Sequence, residues 1–123
     1  MQMPEVRYLR KLVDGVRVVA APVEIDVTTA GQLRAVLLGA TDAVHPMVVV
    51  DMTRTVFCDV SGLHTLLRAY KRAVSKGGDL RLVVPADGAV SRVIHLTGLD
   101  RLIPCFSSLA SALAWTPASA QHS

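Results

Sequence analysis

Asp59, Ser61 and His64 crowd into one short stretch, Phe57-Cys58-Asp59-Val60-Ser61-Gly62-Leu63-His64. The three residue types invite a Ser–His–Asp hydrolase reading. Such a triad is assembled from separate elements, however, whereas His64 follows Ser61 on the polar face of the same expected helix. The Gly-x-Ser-x-Gly elbow of hydrolases is also missing, because position 59 is Asp. What a serine in this place can do is carry a phosphate. A helix N-terminus offers free backbone N–H groups and the positive end of the helix dipole, which suit an anion. Gly62 puts no side chain beside the hydroxyl, and Asp59 would crowd a new phosphate with like charge. The simpler role for Asp59 or Ser61 is to cap the helix, as Asp and Ser commonly do.

Three further observations bear on chemistry. Asp26, Asp51 and Asp59 each follow an expected strand, where they suit either a Mg²⁺-assisted site or an acidic surround read by a protein partner. The partner reading needs less. His45, His64, His95 and His122 are scattered without His-x-x-x-His spacing, and no glycine-rich loop ends in Lys-Ser or Lys-Thr. Cys58 and Cys105 form no Cys-x-x-Cys and sit among apolar neighbours, so both read as small buried hydrophobes without a disulfide. The expectation is a protein that is not an enzyme and has no metal and no cofactor.

The elements that position Ser61 follow from periodicity. Leu63, Leu66, Leu67, Tyr70 and Val74 fall on one helical face, with His64, Arg68, Lys71, Arg72 and Ser75 on the other and Lys76-Gly77-Gly78 as the stop. Before it, Met47-Val48-Val49-Val50 is a β-branched run suited to a central strand buried on both faces. Leu9–Val13 and Val16–Ala21 flank Asp14-Gly15, a two-residue hairpin turn. Val23-Glu24-Ile25-Asp26 reads as a short acidic loop, and Thr29-Ala30-Gly31-Gln32 has the form of a capping box for a first helix burying Leu33, Val36, Leu37 and Ala40. A strand over Leu80–Val84 and a helix from about Gly88 to Leu96 come next. Leu102–Phe106 then reads as an edge strand containing Pro104. A last helix runs through Leu109, Ala112, Leu113 and Trp115, capped by Ser107 or Ser108 and ended by Pro117. Strands alternating with helices after a hairpin imply an α/β sheet of mixed direction, whose functional crevice lies at the carboxyl ends of the parallel strands.

Length and composition agree with one domain. The chain has 123 residues, is 51% apolar with few aromatics, and carries a formal charge of +3. That is enough for an aliphatic core and too little charge for a nucleic-acid footprint; Arg68, Lys71, Arg72 and Lys76 read as a solvated helix face. No apolar run approaches the roughly 18–20 residues of a membrane span, and the charged N-terminus lacks a signal-peptide core, so a cytoplasmic protein is expected.

Asp59-Val60-Ser61-Gly62-Leu63, with Phe57 before it and the helix ending at Lys76-Gly77-Gly78 after it, resembles the phosphorylation segment of bacterial anti-sigma factor antagonists, the single-domain STAS proteins. Val23-Glu24-Ile25-Asp26 is similar to that family's Gly-Glu-(Leu/Ile)-Asp, Asp51 stands where its central strand ends in Asp or Asn, and Leu96-Thr97-Gly98-Leu99 is similar to its (Met/Leu)-(Ser/Thr)-Gly-Leu. Val23 replaces the usual Gly, and Val60 stands where many members have a second hydroxyl, which leaves Ser61 as the sole hydroxyl of the motif. The resemblance implies a STAS-like mixed β-sheet of about five strands with an N-terminal hairpin, packed against about four helices. One domain would span 7–115, followed by a flexible tail over 116–123. It further implies an anti-sigma factor antagonist that binds an anti-sigma factor serine kinase, is switched off by phosphorylation at Ser61 and is restored by a phosphatase. The partner surface would comprise Glu24, Asp26, Asp51, Asp59, Val60, Ser61, Gly62, Leu63 and His64, with no direct nucleic-acid or membrane contact. The alternative within the family is a constitutive subunit of a larger transport or stress-sensing complex, in which Ser61 is only a cap.

Overall fold

A computed structural model describes residues 10–114 of the chain. The hairpin forms as expected: β1 (Arg10–Val13) and β2 (Val16–Ala20) pair antiparallel around Asp14 and Gly15, both at positive φ (51° and 81°). This turn needs two left-handed residues, which the Asp-Gly pair tolerates.

Two further strands, β4 (Met47–Asp51) and β6 (Asp79–Val83), add in parallel to β2, and β7 (Cys105–Phe106) closes the edge. The sheet order is β1-β2-β4-β6-β7, so the Val48-Val49-Val50 run lies in the middle, with all three side chains essentially inaccessible. Val19, Val50 and Leu82 align across one face and Val18, Val49 and Arg81 across the other. The first face meets α1 (Val27–Ala40), α2 (Val60–Ser75) and α3 (Ala89–Thr97) through Leu33, Leu37, Leu66, Ala73, Val90 and Ile94. The second face is covered by α4 (Leu109–Ala114), through Leu109, Ala112 and Leu113.

Several local expectations shift. Thr29 does not begin the first helix. The helix starts at Val27, and the capping box joins Asp26 to Thr29 instead of Thr29 to Gln32. The segment read as an acidic loop contains a two-residue strand, β3 (Glu24–Ile25), which pairs in parallel with β5 (Phe57–Cys58) to form a second, small sheet. The edge strand β7 is shorter than Leu102–Phe106, because Leu99–Arg101 is a turn of 3₁₀ helix and Leu102 is exposed. Ser108 caps α4, its Oγ accepting the Ser111 amide at 3.1 Å. Leu9, Trp115, Pro117 and the expected tail lie outside the described residues.

In α2 the buried face is Gly62, Leu63, Thr65, Leu66, Ala69 and Ala73, while Val74, expected in the core, is 46% exposed. The helix closes with a Schellman motif: Gly77 is left-handed (φ +82°), its amide donates to Val74 O, and the Gly78 amide donates to Ala73 O, both at 2.9 Å.

Candidate functional site

The carboxyl ends of the parallel strands feed two loops that run side by side. The Ala21 amide donates to Asp51 O (2.9 Å), the Val56 amide to Val23 O (2.8 Å) and the Asp59 amide to Ile25 O (3.0 Å). Between the last two bonds lies the β3/β5 pairing, Glu24 opposite Phe57 and Ile25 opposite Cys58. Continuing the register sets Asp26 beside Asp59 and Val27 beside Val60, so α1 and α2 begin alike, each with an Asp cap and then a Val.

Asp59 caps α2, with extended backbone (φ −91°, ψ −173°) and its Oδ1 accepting the Gly62 amide at 3.2 Å. The same oxygen accepts the Ser61 hydroxyl at 2.5 Å. That bond, followed by the Gly62 and Ser61 amides, holds the Asp59 carboxyl below its ordinary value despite some desolvation. Ser61 is therefore inside the first turn of α2, half-buried, with its hydroxyl committed to the capping carboxylate. Asp26 does the equivalent work for α1, accepting the Thr28 and Thr29 amides at 2.9 and 3.0 Å. Thr28 occupies in α1 the place that Ser61 has in α2, and it is exposed.

Gly62 matters for packing. A Cβ there would stand 2.6 Å from Ile25 Cγ2 and 2.7 Å from Cys58 Sγ, so the glycine lets α2 settle on the small sheet. Cys58 is buried beneath it, and burial, with the Asp59 charge adding, pushes its thiol up to about 11; it is protonated at neutral pH. Cys105, half-buried and not fully buried as expected, is pushed up to about 11 for the same first reason. Both cysteines are free.

The residues expected to face a partner divide by exposure. Glu24, Val60 and His64 are exposed; Asp26, Asp51, Asp59 and Ser61 are half-buried; Gly62 and Leu63 are buried and hold the helix in place. Asp51 accepts the Thr53 amide at 3.0 Å and lies at the near end of the paired loops, with β3 and β5 between it and the Asp26–Asp59 end. Among the described residues no three His, Cys, Asp or Glu side chains come together as a metal site.

Of the apolar rim, sequence reasoning placed only Val60 on the partner surface. Val23, Val27, Val56, Phe57 and Val60 are exposed by 49–78%, on the paired loops and at the first residues of α1 and α2. The signal for Val27 was the repeat of Asp59-Val60 as Asp26-Val27 at the other helix start, which periodicity does not register.

A family model of the STAS domain matches residues 9–112. The chain belongs to the STAS family. Among solved structures, an anti-sigma factor antagonist from Mycobacterium paratuberculosis is 32% identical, with 88% of this chain and 91% of that one covered and a TM-score of 0.80. An anti-sigma factor antagonist (STAS) domain protein from Planctomyces limnophilus is 23% identical, covering 87% and 95%, at a TM-score of 0.74. The Bacillus cell fate determinant SpoIIAA in its phosphorylated form is 19% identical, covering 88% and 97%, at 0.62, and shares the STAS fold. No curated protein sequence matches the chain. Among the described residues of this STAS protein no helix is long and apolar enough to cross a membrane.

Proposed function

We propose that this STAS protein is an anti-sigma factor antagonist working by partner exchange in the cytoplasm, as a binding switch and not an enzyme. Unphosphorylated, it binds an anti-sigma factor that is also a serine kinase and so frees a sigma factor. Phosphorylation of Ser61 by that kinase breaks the complex, and a phosphatase restores it. The partner surface is the pair of helix starts, with Glu24, Asp26, Asp51, Asp59, Val60, Ser61 and His64 on or beside the apolar rim, while Gly62 and Leu63 support it from within.

The observation that carries this reading is the Ser61 hydroxyl bound to Asp59 amid exposed apolar residues. Phe57 and Val60 at 49% and 68% exposure favour cover by a protein. A phosphate on Ser61 adds about −1.5 to −2 charges at an oxygen 2.5 Å from a carboxylate. At a desolvated interface, like charges so placed cost several kcal/mol, and each 1.4 kcal/mol is tenfold in affinity.

Incubation with ATP and the candidate kinase, followed by intact-mass spectrometry and site mapping, should give one phosphate on the native chain and none on Ser61→Ala. Mapping also separates Ser61 from Thr28. Ser61→Ala should bind the kinase constitutively and Ser61→Asp poorly; equal affinity of the two variants overturns the switch. Stable co-purification with membrane components, together with indifference to changes at Ser61, would favour the constitutive-subunit role.

A further inference from the structure

The α1–α2 contact holds a groove of about 460 Å³. Its floor is apolar, from Leu37, Leu38 and Ala69, and its walls carry Arg34, Arg68, Lys71 and Arg72 with no acidic side chain among the lining residues. Arg34 is the one charged residue of α1, and α2 contains no acidic residue. Helix packing thus sets like charges face to face, and Arg68 and Arg72 repeat them four residues apart within α2. Like charges at that spacing destabilise a helix. Arg34, Arg68 and Lys71 have no hydrogen-bond or ion-pair partner among the described residues.

Arg72 is built in. Its Nε donates to Thr41 Oγ1 at 3.1 Å and its Nη2 stands 3.4 Å from Asp42 Oδ1. Thr41 is wholly buried, and its hydroxyl donates to Leu37 O at 2.7 Å. One guanidinium is therefore fixed at the groove before any ligand arrives, which lowers the ordering cost of binding.

We propose that this groove binds a small organic anion with two or more negative charges beside an apolar portion. Guanidinium forks match phosphate and carboxylate oxygens, the floor accepts an apolar group, and the volume falls within the range of about 300–1,000 Å³ typical of small-molecule clefts. The site stands on its own geometry and does not depend on phosphorylation of Ser61. It does reach the first turn of α2, because Thr65 lines the groove and its hydroxyl donates to Ser61 O at 3.0 Å.

The test is titration of the ¹⁵N-labelled full chain with 1-naphthyl phosphate, pyrophosphate and citrate, read by backbone amide shifts. Saturable shifts within residues 34–41 and 65–75 are expected, with Kd for naphthyl phosphate below about 1 mM. Arg34→Gln/Arg68→Gln should weaken binding at least about tenfold, roughly one 1.4 kcal/mol step, while Ser61→Ala leaves it unchanged. Both changed arginines are exposed, and an otherwise unchanged spectrum confirms the fold. Relative affinity for pyrophosphate and citrate identifies phosphate or carboxylate as the preferred charge. Shifts that stay linear with concentration, that persist undiminished in the double variant, or that centre on residues 60–63 overturn the proposal.

Discussion

Asp59 serves two donors with one oxygen, the Gly62 amide that begins the helix and the Ser61 hydroxyl. Removing the carboxylate by Asp59→Ala should destabilise the fold, because the first turn of α2 loses its cap. The pH dependence follows from its lowered value: a carboxyl held down in the folded state contributes stability above its unfolded value of about 3.9, and loses it as pH falls through the lower folded value. Thermal melts of the native chain and the variant should differ at pH 7 and converge in acid. The sequence left Asp59 and Ser61 as equal candidates for the cap, since both types favour that place. Geometry separates them, because a cap residue must be extended, as Asp59 is, and Ser61 already lies in the helix. The same rule moved the first capping box from Thr29 to Asp26, where a carboxylate accepts two amides.

For the elements, the order of strands and helices was readable because each long segment carries its own period and its own stop. Val48–Val50, Leu80–Val83 and the glycines after α2 and α3 are examples. The small sheet was not readable, since strands of two residues are too short to show alternation. The buried face of α2 was read one residue out at its end, with Val74 in place of Ala73, because a scan for large apolar side chains passes over alanine. Small residues are what let α2 approach closely, and Gly62 is the tightest point. Gly62→Ala should therefore force Ile25 or Cys58 to move and lower stability by about 1–3 kcal/mol, the usual range for overpacking. Urea midpoints would measure this loss, and adding Cys58→Ala, which removes the Sγ 2.7 Å from the new methyl, should recover part of it.

Across the whole molecule, α4 covers the second sheet face and one charged side chain ties it there. Arg81, 1% exposed in β6, donates from Nη1 to Ala112 O at 2.6 Å and from Nε to Asp79 at 3.4 Å. Burial lowers the arginine and raises the aspartate from their ordinary values, so both charges resist this setting and their hydrogen bonds offset the cost. Arg81→Met should cost about 3 kcal/mol by leaving Asp79 without its ion-pair partner, with partial recovery in Arg81→Met/Asp79→Leu; denaturation with matched m-values would show both. Nothing local in the sequence tells that α4 lies over position 81. At the far end of α2 from Ser61, the chain is moored to the α1–β4 connection. His45 N donates to Lys76 O, Lys76 Nζ to Asp42 O, and Asp79 N to Pro46 O, while a side chain on Gly78 would run into the Pro46 backbone. Asp59 and the slender β3/β5 pair secure the opposite end. The two ends of α2 are therefore held by different means, main-chain hydrogen bonds at Lys76–Asp79 and a side-chain cap at Asp59, so a change at the Asp59–Ser61 contact acts on the end whose anchor is a single carboxylate.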